Sequence, residues 1–251
     1  MTKDQYLTTL YQAQQTGKPI DKSVFSTDIK DQTDAYNFVY DLLALKEKDG
    51  QNLLGYKIAA TSPQMMEKFG VTEPMYAPIM GSKPTNQINL DEANDPAIEP
   101  ELIFIVNQDI LPDDDHETLL KKVEVAPGIE IPDTRYTDRK GLSSLQSLCD
   151  WIGAAYIAVG KPQAATYENL DKITGELFLD GVSQGKNTSE AILEHPIKSL
   201  AWLVKKLDEH GRILKAGQLV SSGSFLLPAD LQKGEYEARY QGFGSVILRV
   251  K

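Results

Sequence analysis

Glu99-Pro100-Glu101 opens the apolar run Leu102-Ile103-Phe104-Ile105-Val106, and Glu130 sits inside a second one, Pro127-Gly128-Ile129-Glu130-Ile131. In an extended strand alternate side chains share a face, so Glu99 and Glu101 stand about 7 Å apart along the chain on one side. Two carboxylates so placed repel unless positive charge lies between them, and a free acid within an apolar strand is costly. A hard divalent cation with oxygen ligands, Mg²⁺ or Mn²⁺, resolves both difficulties. The plain alternative is a solvent-facing strand end with Pro100 on an exposed edge, because proline donates nothing to a ladder. Lys57, embedded in the apolar segment Leu53 to Ala60, also needs a reason. Its ammonium can pair with a ligand glutamate or a substrate carboxylate, and a depressed pKa would let it move a proton. The alternative is a lysine whose stem carries its head out to solvent.

Other polar residues have ordinary explanations beside chemical ones. Ser62 precedes Pro63, the pattern of a helix cap and first helical residue, yet its hydroxyl could also meet a bound carboxylate. Ser222 and Ser224 flank Gly223, which allows either a tight turn or close approach of a ligand. His116, His195 and His210 lie in a loop, before a helix-opening proline and near a helix end, and no two of them have ligand spacing. Cys149 reads as a small core residue.

The elements that must position these groups are legible from periodicity. Thr2 and Gln5 have capping-box spacing before Leu7, Leu10 and Tyr11, with Gly17 and Pro19 as the stop. Between Asp31 and Gly50 the residues Ala35, Phe38, Val39, Leu42, Leu43 and Leu45 make one stripe, so residues 1–50 read as a helical extension that packs as a lid or dimer-facing layer. Strands are expected at 53–60, 98–106 and 123–131, the last two as sheet neighbours. Asp180-Gly181 marks a type I′ hairpin, Pro196 opens a strongly amphipathic helix ending at Gly211, and the tail from Tyr236 to Val250 reads as sheet.

With 251 residues, 41% of them hydrophobic, the chain can build one core. No linker or repeat divides it, so 1–251 is expected to be a single catalytic domain of α+β class. A net charge of -10 with no basic cluster gives the wrong field for nucleic acid. One cysteine excludes an internal disulfide and a cysteine metal site, and fits a cytoplasmic protein. The first twenty residues read as neither signal peptide nor membrane span, so no membrane partner is expected.

Five segments occur in an order that resembles the 2-keto-4-pentenoate hydratase and 4-oxalocrotonate decarboxylase family of the fumarylacetoacetate hydrolase superfamily. They are Gly55-Tyr56-Lys57-Ile58-Ala59-Ala60-Thr61-Ser62, Gly70-Val71-Thr72-Glu73-Pro74-Met75-Tyr76, Glu99-Pro100-Glu101, Pro127 to Arg135, and Ala201-Trp202-Leu203. Leu219 to Ser224 and Gly242 to Val246 look like that family's closing strands, so the resemblance spans about residues 30–251. It implies a mixed β-sandwich roll, a Mg²⁺ or Mn²⁺ ion held by Glu99, Glu101 and Glu130, and a short unsaturated 2-oxo acid as substrate in aromatic compound catabolism. It also implies Lys57 as a catalytic pocket residue, Ser62, Tyr76, Asp150 and Ser222 at the substrate, and Asp133 and Arg135 as an ion pair supporting the Glu130 strand.

Hydration of 2-hydroxypenta-2,4-dienoate to 4-hydroxy-2-oxopentanoate is the leading activity implied, and decarboxylation of 2-oxohex-3-enedioate the alternative. Both put developing negative charge on the 2-oxo oxygen, so the same ligands serve either. Two departures bear on this. Met75 stands where the hydratases carry an aspartate, and Trp151 where both subgroups carry an amide, which replaces a polar pocket contact with an apolar wall. These departures also motivate a non-catalytic partner subunit within a hydratase-decarboxylase complex. A homo-oligomer is expected. Hydrolysis of a C–C bond is disfavoured, since no histidine precedes residue 116.

Overall fold

The computed structural model describes residues 1–81 and 83–251. Helix α1 (Lys3–Thr16) is started by the expected capping box, in which the Thr2 hydroxyl accepts from the Gln5 N–H and the Gln5 side chain accepts from the Thr2 N–H. Asp31 caps α2 (Gln32–Lys48) by accepting from the Asp34 N–H. Tyr6, Leu10, Phe38, Val39, Leu42 and Leu43 are completely buried in the main core, and no residue of either helix lines the large cavity described below. The N-terminal layer is therefore a wall of the core and not a lid.

The strands are β1 (Leu53–Ala59), β2 (Met75–Met80), β3 (Gln87–Ile88), β4 (Ala97–Val106), β5 (Val123–Ile131), β6 (Tyr156–Val159), β7 (Thr174–Leu179), β8 (Val182–Thr188), β9 (Leu219–Ser224), β10 (Ala229–Asp230), β11 (Gly234–Tyr240) and β12 (Gly244–Val250). Five further helices connect them: α3 (Pro63–Phe69), α4 (His116–Lys122), α5 (Ser144–Cys149), α6 (Tyr167–Leu170) and α7 (Pro196–Glu209). One sheet runs β2-β1-β9-β4-β5-β6 with β10 pairing the start of β4, and the other runs β3-β12-β11-β7-β8. The architecture is the expected mixed sandwich roll. The 180–181 turn has both residues at positive φ, 48° at Asp180 and 79° at Gly181, as a type I′ hairpin requires.

Strand β4 lies inside its sheet, between β9 and β5, so Pro100 does not occupy an exposed edge. The register against β9 shifts between Glu101 and Ile103, and the Pro100 carbonyl accepts from the Phe225 N–H at 2.9 Å. A local irregularity of this kind is where an interior strand tolerates a missing donor.

The two sheets are joined through a buried polar contact. The Tyr240 hydroxyl of β11 donates to the Gly128 carbonyl of β5 at 2.6 Å. A Cβ at Gly128 would fall 2.3 Å from Ile103 Cγ1, so only glycine fits opposite that side chain. Tyr240→Phe keeps the ring packing and removes the bond. It should lower the unfolding free energy by about 1 kcal/mol, measured by urea denaturation.

Candidate metal centre and active site

Antiparallel pairing of β4 with β5 sets Glu99 directly across from Glu130, and Glu101 across from Gly128. Alternation then brings Glu101 to the same face, and one carboxylate oxygen from each of Glu99, Glu101 and Glu130 lies within 4.8 Å of the others. Glu101 and Glu130 are each 1% exposed, whereas the Glu99 side chain, at 13%, opens toward solvent. Lys57 of β1, also 1% exposed, donates to Glu130 Oε2 at 2.7 Å and to the Ile152 carbonyl at 3.2 Å, and its Nζ stands 3.9 Å from Glu99 Oε2. It is no solvent-reaching lysine.

Glu101 is held by two donors from β9. The Ser221 hydroxyl donates to Oε2 at 2.5 Å and the Gly223 N–H to the same oxygen at 2.8 Å. Gly223 has φ of +101°, and a Cβ there would lie 2.5 Å from the Thr61 side chain, so the cradle requires glycine on two counts.

Burial, and next the charge of Glu99, pushes the Glu101 carboxyl up to about 8. Burial also raises Glu130, although Lys57 opposes it. For Lys57 burial acts downward, but the carboxylates of Glu130 and then Glu99 outweigh it, and the net shift is upward. Of the two roles open to Lys57 the metal-free geometry displays the ion pair with a glutamate, because the group sits among acids. One ammonium cannot neutralise three carboxylates, and Glu130 Oε1 is buried with no hydrogen-bond partner among the described residues. Three converging hard oxygens, one of them unfilled, fit a divalent cation in donor type and in charge.

The centre lies on the wall of an open cavity of about 1160 Å³, lined also by Ser62, Asp133, Asp150 and Ser224. Ser62 lines it while its hydroxyl caps α3 by accepting from the Met65 N–H at 3.3 Å. Cys149 is a buried core residue, as expected.

Four expectations change. Tyr76 pairs with Ile58 across β1 and β2, one residue out of phase with Lys57, and therefore points to the other face. There its hydroxyl bonds with the Tyr40 hydroxyl at 2.6 Å and His210 Nδ1 at 2.7 Å, away from the cavity. Ser222 is likewise turned away: its Oγ accepts from the Leu102 N–H at 3.2 Å, and Ser221 faces the glutamates instead. Asp150 lines the cavity with its oxygens already engaged, accepting from Thr134 Oγ1 at 2.8 Å and from Arg135 N and Nε at 3.0 and 2.5 Å. Asp133 and Arg135 form no side-chain pair. They follow the end of β5, where Arg135 turns to Asp150 while Asp133 accepts from the Asn94 and Asp95 N–H groups.

The two departures from family pattern also lie elsewhere than expected. Met75 is buried in the core, and Trp151 lines a smaller, separate cavity, while its neighbour Ile152 forms part of the large one. Sequence reasoning missed Ser221 and the cavity-wall pair of Arg139 with Asp95, at 2.6 Å. The equal parity of Ser221 and Gly223 hinted at the former, and nothing in the sequence marked the latter.

The mixed roll is a fold shared with solved structures, among them fumarylpyruvate hydrolase from Pseudomonas aeruginosa in complex with Mn²⁺ and pyruvate, at a TM-score of 0.60 over 78% of this chain and 88% of that one, with 16% identity. A solved 4-oxalocrotonate decarboxylase from Pseudomonas putida G7, complexed with magnesium and adipate, superposes with a TM-score of 0.88 over 100% of this chain and 99% of that one, at 23% identity. No family model matches the chain. The resemblance read from the sequence is borne out by curated relatives. The chain is 27% identical to 2-oxo-hept-4-ene-1,7-dioate hydratase of Escherichia coli, over 86% of its length and 85% of the relative's. It is 26% identical to 2-keto-4-pentenoate hydratase of Paraburkholderia xenovorans strain LB400 (94% and 90% covered) and 26% to 4-oxalocrotonate decarboxylase of Pseudomonas putida (86% and 84%).

The shifted glutamate gives a signed pH dependence. Unfolded, Glu101 loses its proton near 4.5; folded and metal-free, near 8. Between those values the folded state holds more protons, so metal-free stability falls as pH rises from about 5 to 8. A cation binds the ionised carboxylates, so the gain in Tm from Mg²⁺ over EDTA should be larger at pH 8 than at pH 5.5. Thermal unfolding at both pH values checks this. Ser221→Ala, which removes one donor to Glu101, should weaken Mg²⁺ binding about tenfold or more by titration calorimetry.

Proposed function

We propose that this chain is a divalent-metal-dependent lyase of short unsaturated 2-oxo acids, with hydration of 2-hydroxypenta-2,4-dienoate to 4-hydroxy-2-oxopentanoate as its leading activity. The observation that carries this is the convergence of Glu99, Glu101 and Glu130 beside buried Lys57 on the wall of an open cavity. The hydratase and decarboxylase names of its relatives support the same class.

Glu99, Glu101 and Glu130 would hold Mg²⁺ or Mn²⁺, which when bound supplies a Lewis acid for the carboxylate and 2-oxo oxygens of such a substrate. Ser221 and the Gly223 N–H fix Glu101, so the ligand set is preorganised. Lys57, which donates to Glu130 and stands beside Glu99, brings its ammonium to the centre as an electrostatic partner of the ligand set. Ser62 and Ser224 present hydroxyls to the same space, and the saturated Asp150 carboxylate anchors Arg135 and the segment after β5. In this reading residues 1–251 form one catalytic unit of a cytoplasmic homo-oligomer.

One observation favours the decarboxylase alternative. Lys68 and Lys140 line the same cavity, which suits a substrate with a second carboxylate such as 2-oxohex-3-enedioate. Retention of the full triad with Lys57 argues against a non-catalytic subunit.

With Mg²⁺ present, ultraviolet absorbance should show turnover of 2-hydroxypenta-2,4-dienoate or of 2-oxohex-3-enedioate. Mass analysis separates the two, since hydration gives a heavier acid and decarboxylation a lighter one. Glu101→Gln and Lys57→Met should each lower kcat/KM about a hundredfold or more. Absence of metal-dependent turnover of either compound would overturn the proposal.

A further inference from the structure

Asp133 and Thr134 line both the large cavity and a second one of about 250 Å³, walled by α1, α2 and residues 151–156. The second cavity has polar groups with nothing to bind. Lys46 of α2 is 7% exposed and, among the described residues, makes no salt bridge. Among those residues the only hydrogen bond of its Nζ is a long one, 3.4 Å, to Gln51 Oε1, and it stands 5.8 Å from the ring centres of Tyr11 and Trp151. Among the described residues the buried Trp151 indole Nε1 has no partner, and neither has either atom of the Gln14 amide. Lys46, Trp151 and Gln14 all line this one space.

The charged neighbours do not compensate Lys46. Arg135 adds like charge and is committed to Asp150, and Lys18 at the rim is also basic. Asp133 accepts from two backbone N–H groups, and Glu92 from Asn89 Nδ2. Burial, with Arg135 adding to it, lowers Lys46 to about 8, as an unpaired buried ammonium requires. Water could fill the indole and amide groups but brings no counter-charge.

The backbone at this wall is strained. Trp151, Ile152 and Gly153 follow one another at φ of 54°, 52° and 71°. That path turns the indole into the second cavity while the Ile152 carbonyl faces Lys57.

We propose that this cavity is a binding site for a small oxyanion, a carboxylate or inorganic phosphate, taken by the Lys46 ammonium, the Trp151 indole N–H and the Gln14 amide N–H. Its volume lies below the roughly 300 Å³ at which ordinary small-molecule sites begin, which restricts it to short acids or simple anions. Neither the triad nor the catalytic reading is needed for it.

The test uses the full chain carrying Trp202→Phe, which leaves Trp151 as the sole tryptophan, with EDTA present so that the carboxylate triad holds no metal. Sodium acetate and sodium phosphate are titrated separately against Trp151 emission, with sodium chloride as the ionic-strength control. A saturable change with acetate, phosphate or both, absent with chloride, is expected, and the better of the two identifies the anion class. Adding Lys46→Met should move the midpoint about tenfold or more. That change removes an unpaired buried charge, so the variant should fold at least as well; Gln14→Leu provides a second variant read in the same way. No saturable response to either anion, or the same midpoint in both variants, would overturn the proposal.

Discussion

Three carboxylates and one ammonium packed against the wall of a cavity are the constraint to which the rest of this fold answers. Each acid on its own would be expelled from a strand interior, and each survives because the others bring a shared demand for positive charge. Lys57 meets part of that demand by reaching Glu130 and Glu99. The remainder is negative charge of the kind a hard divalent cation suits. The free energy that a metal contributes there is offset by what the protein spends on holding like charges together, so binding and pH are linked through the same protons.

Positioning falls to features that look purely structural. The Glu99–Glu130 register depends on the long β4–β5 ladder, and Glu101 on a strand, β9, that arrives from the far end of the chain. Gly223 lets that strand approach Thr61 closely enough for its N–H to reach the carboxylate. Gly128 and Tyr240 tie the same region to the second sheet. Asp150, Thr134 and Arg135 then fix the segment whose Ile152 carbonyl receives Lys57. Loss of any of these would move an oxygen of the centre by a fraction of an ångström, which is enough to matter for a small hard ion.

Much of the fold was legible because its signals are local. Capping at Thr2 and Ser62, the stop at Gly17, and the Asp180-Gly181 turn each involve residues within a few positions of one another. Two of the three clustered acids were legible for a related reason, since Glu99 and Glu101 are two apart and strand geometry alone puts them on one face. The failures share an opposite cause. Tyr76, Ser222 and the partner of Arg135 were placed by motif proximity, while their directions depend on strand phase and on contacts far along the chain.

By itself the sequence determined the N-terminal helices, the helix after Pro196, the strands carrying Lys57 and the three glutamates, the 180–181 hairpin, and which side of β4 carries its two acids. It did so because dihedral preferences, capping and the period of two act over a few residues. Only the tertiary structure decided that Glu130 faces Glu99, that Ser221 and not Ser222 meets Glu101, that Lys57 is held charged, and that Lys46 with Trp151 encloses a second cavity. Those outcomes depend on the register and sheet order of strands distant in sequence, and on burial, which no single segment carries.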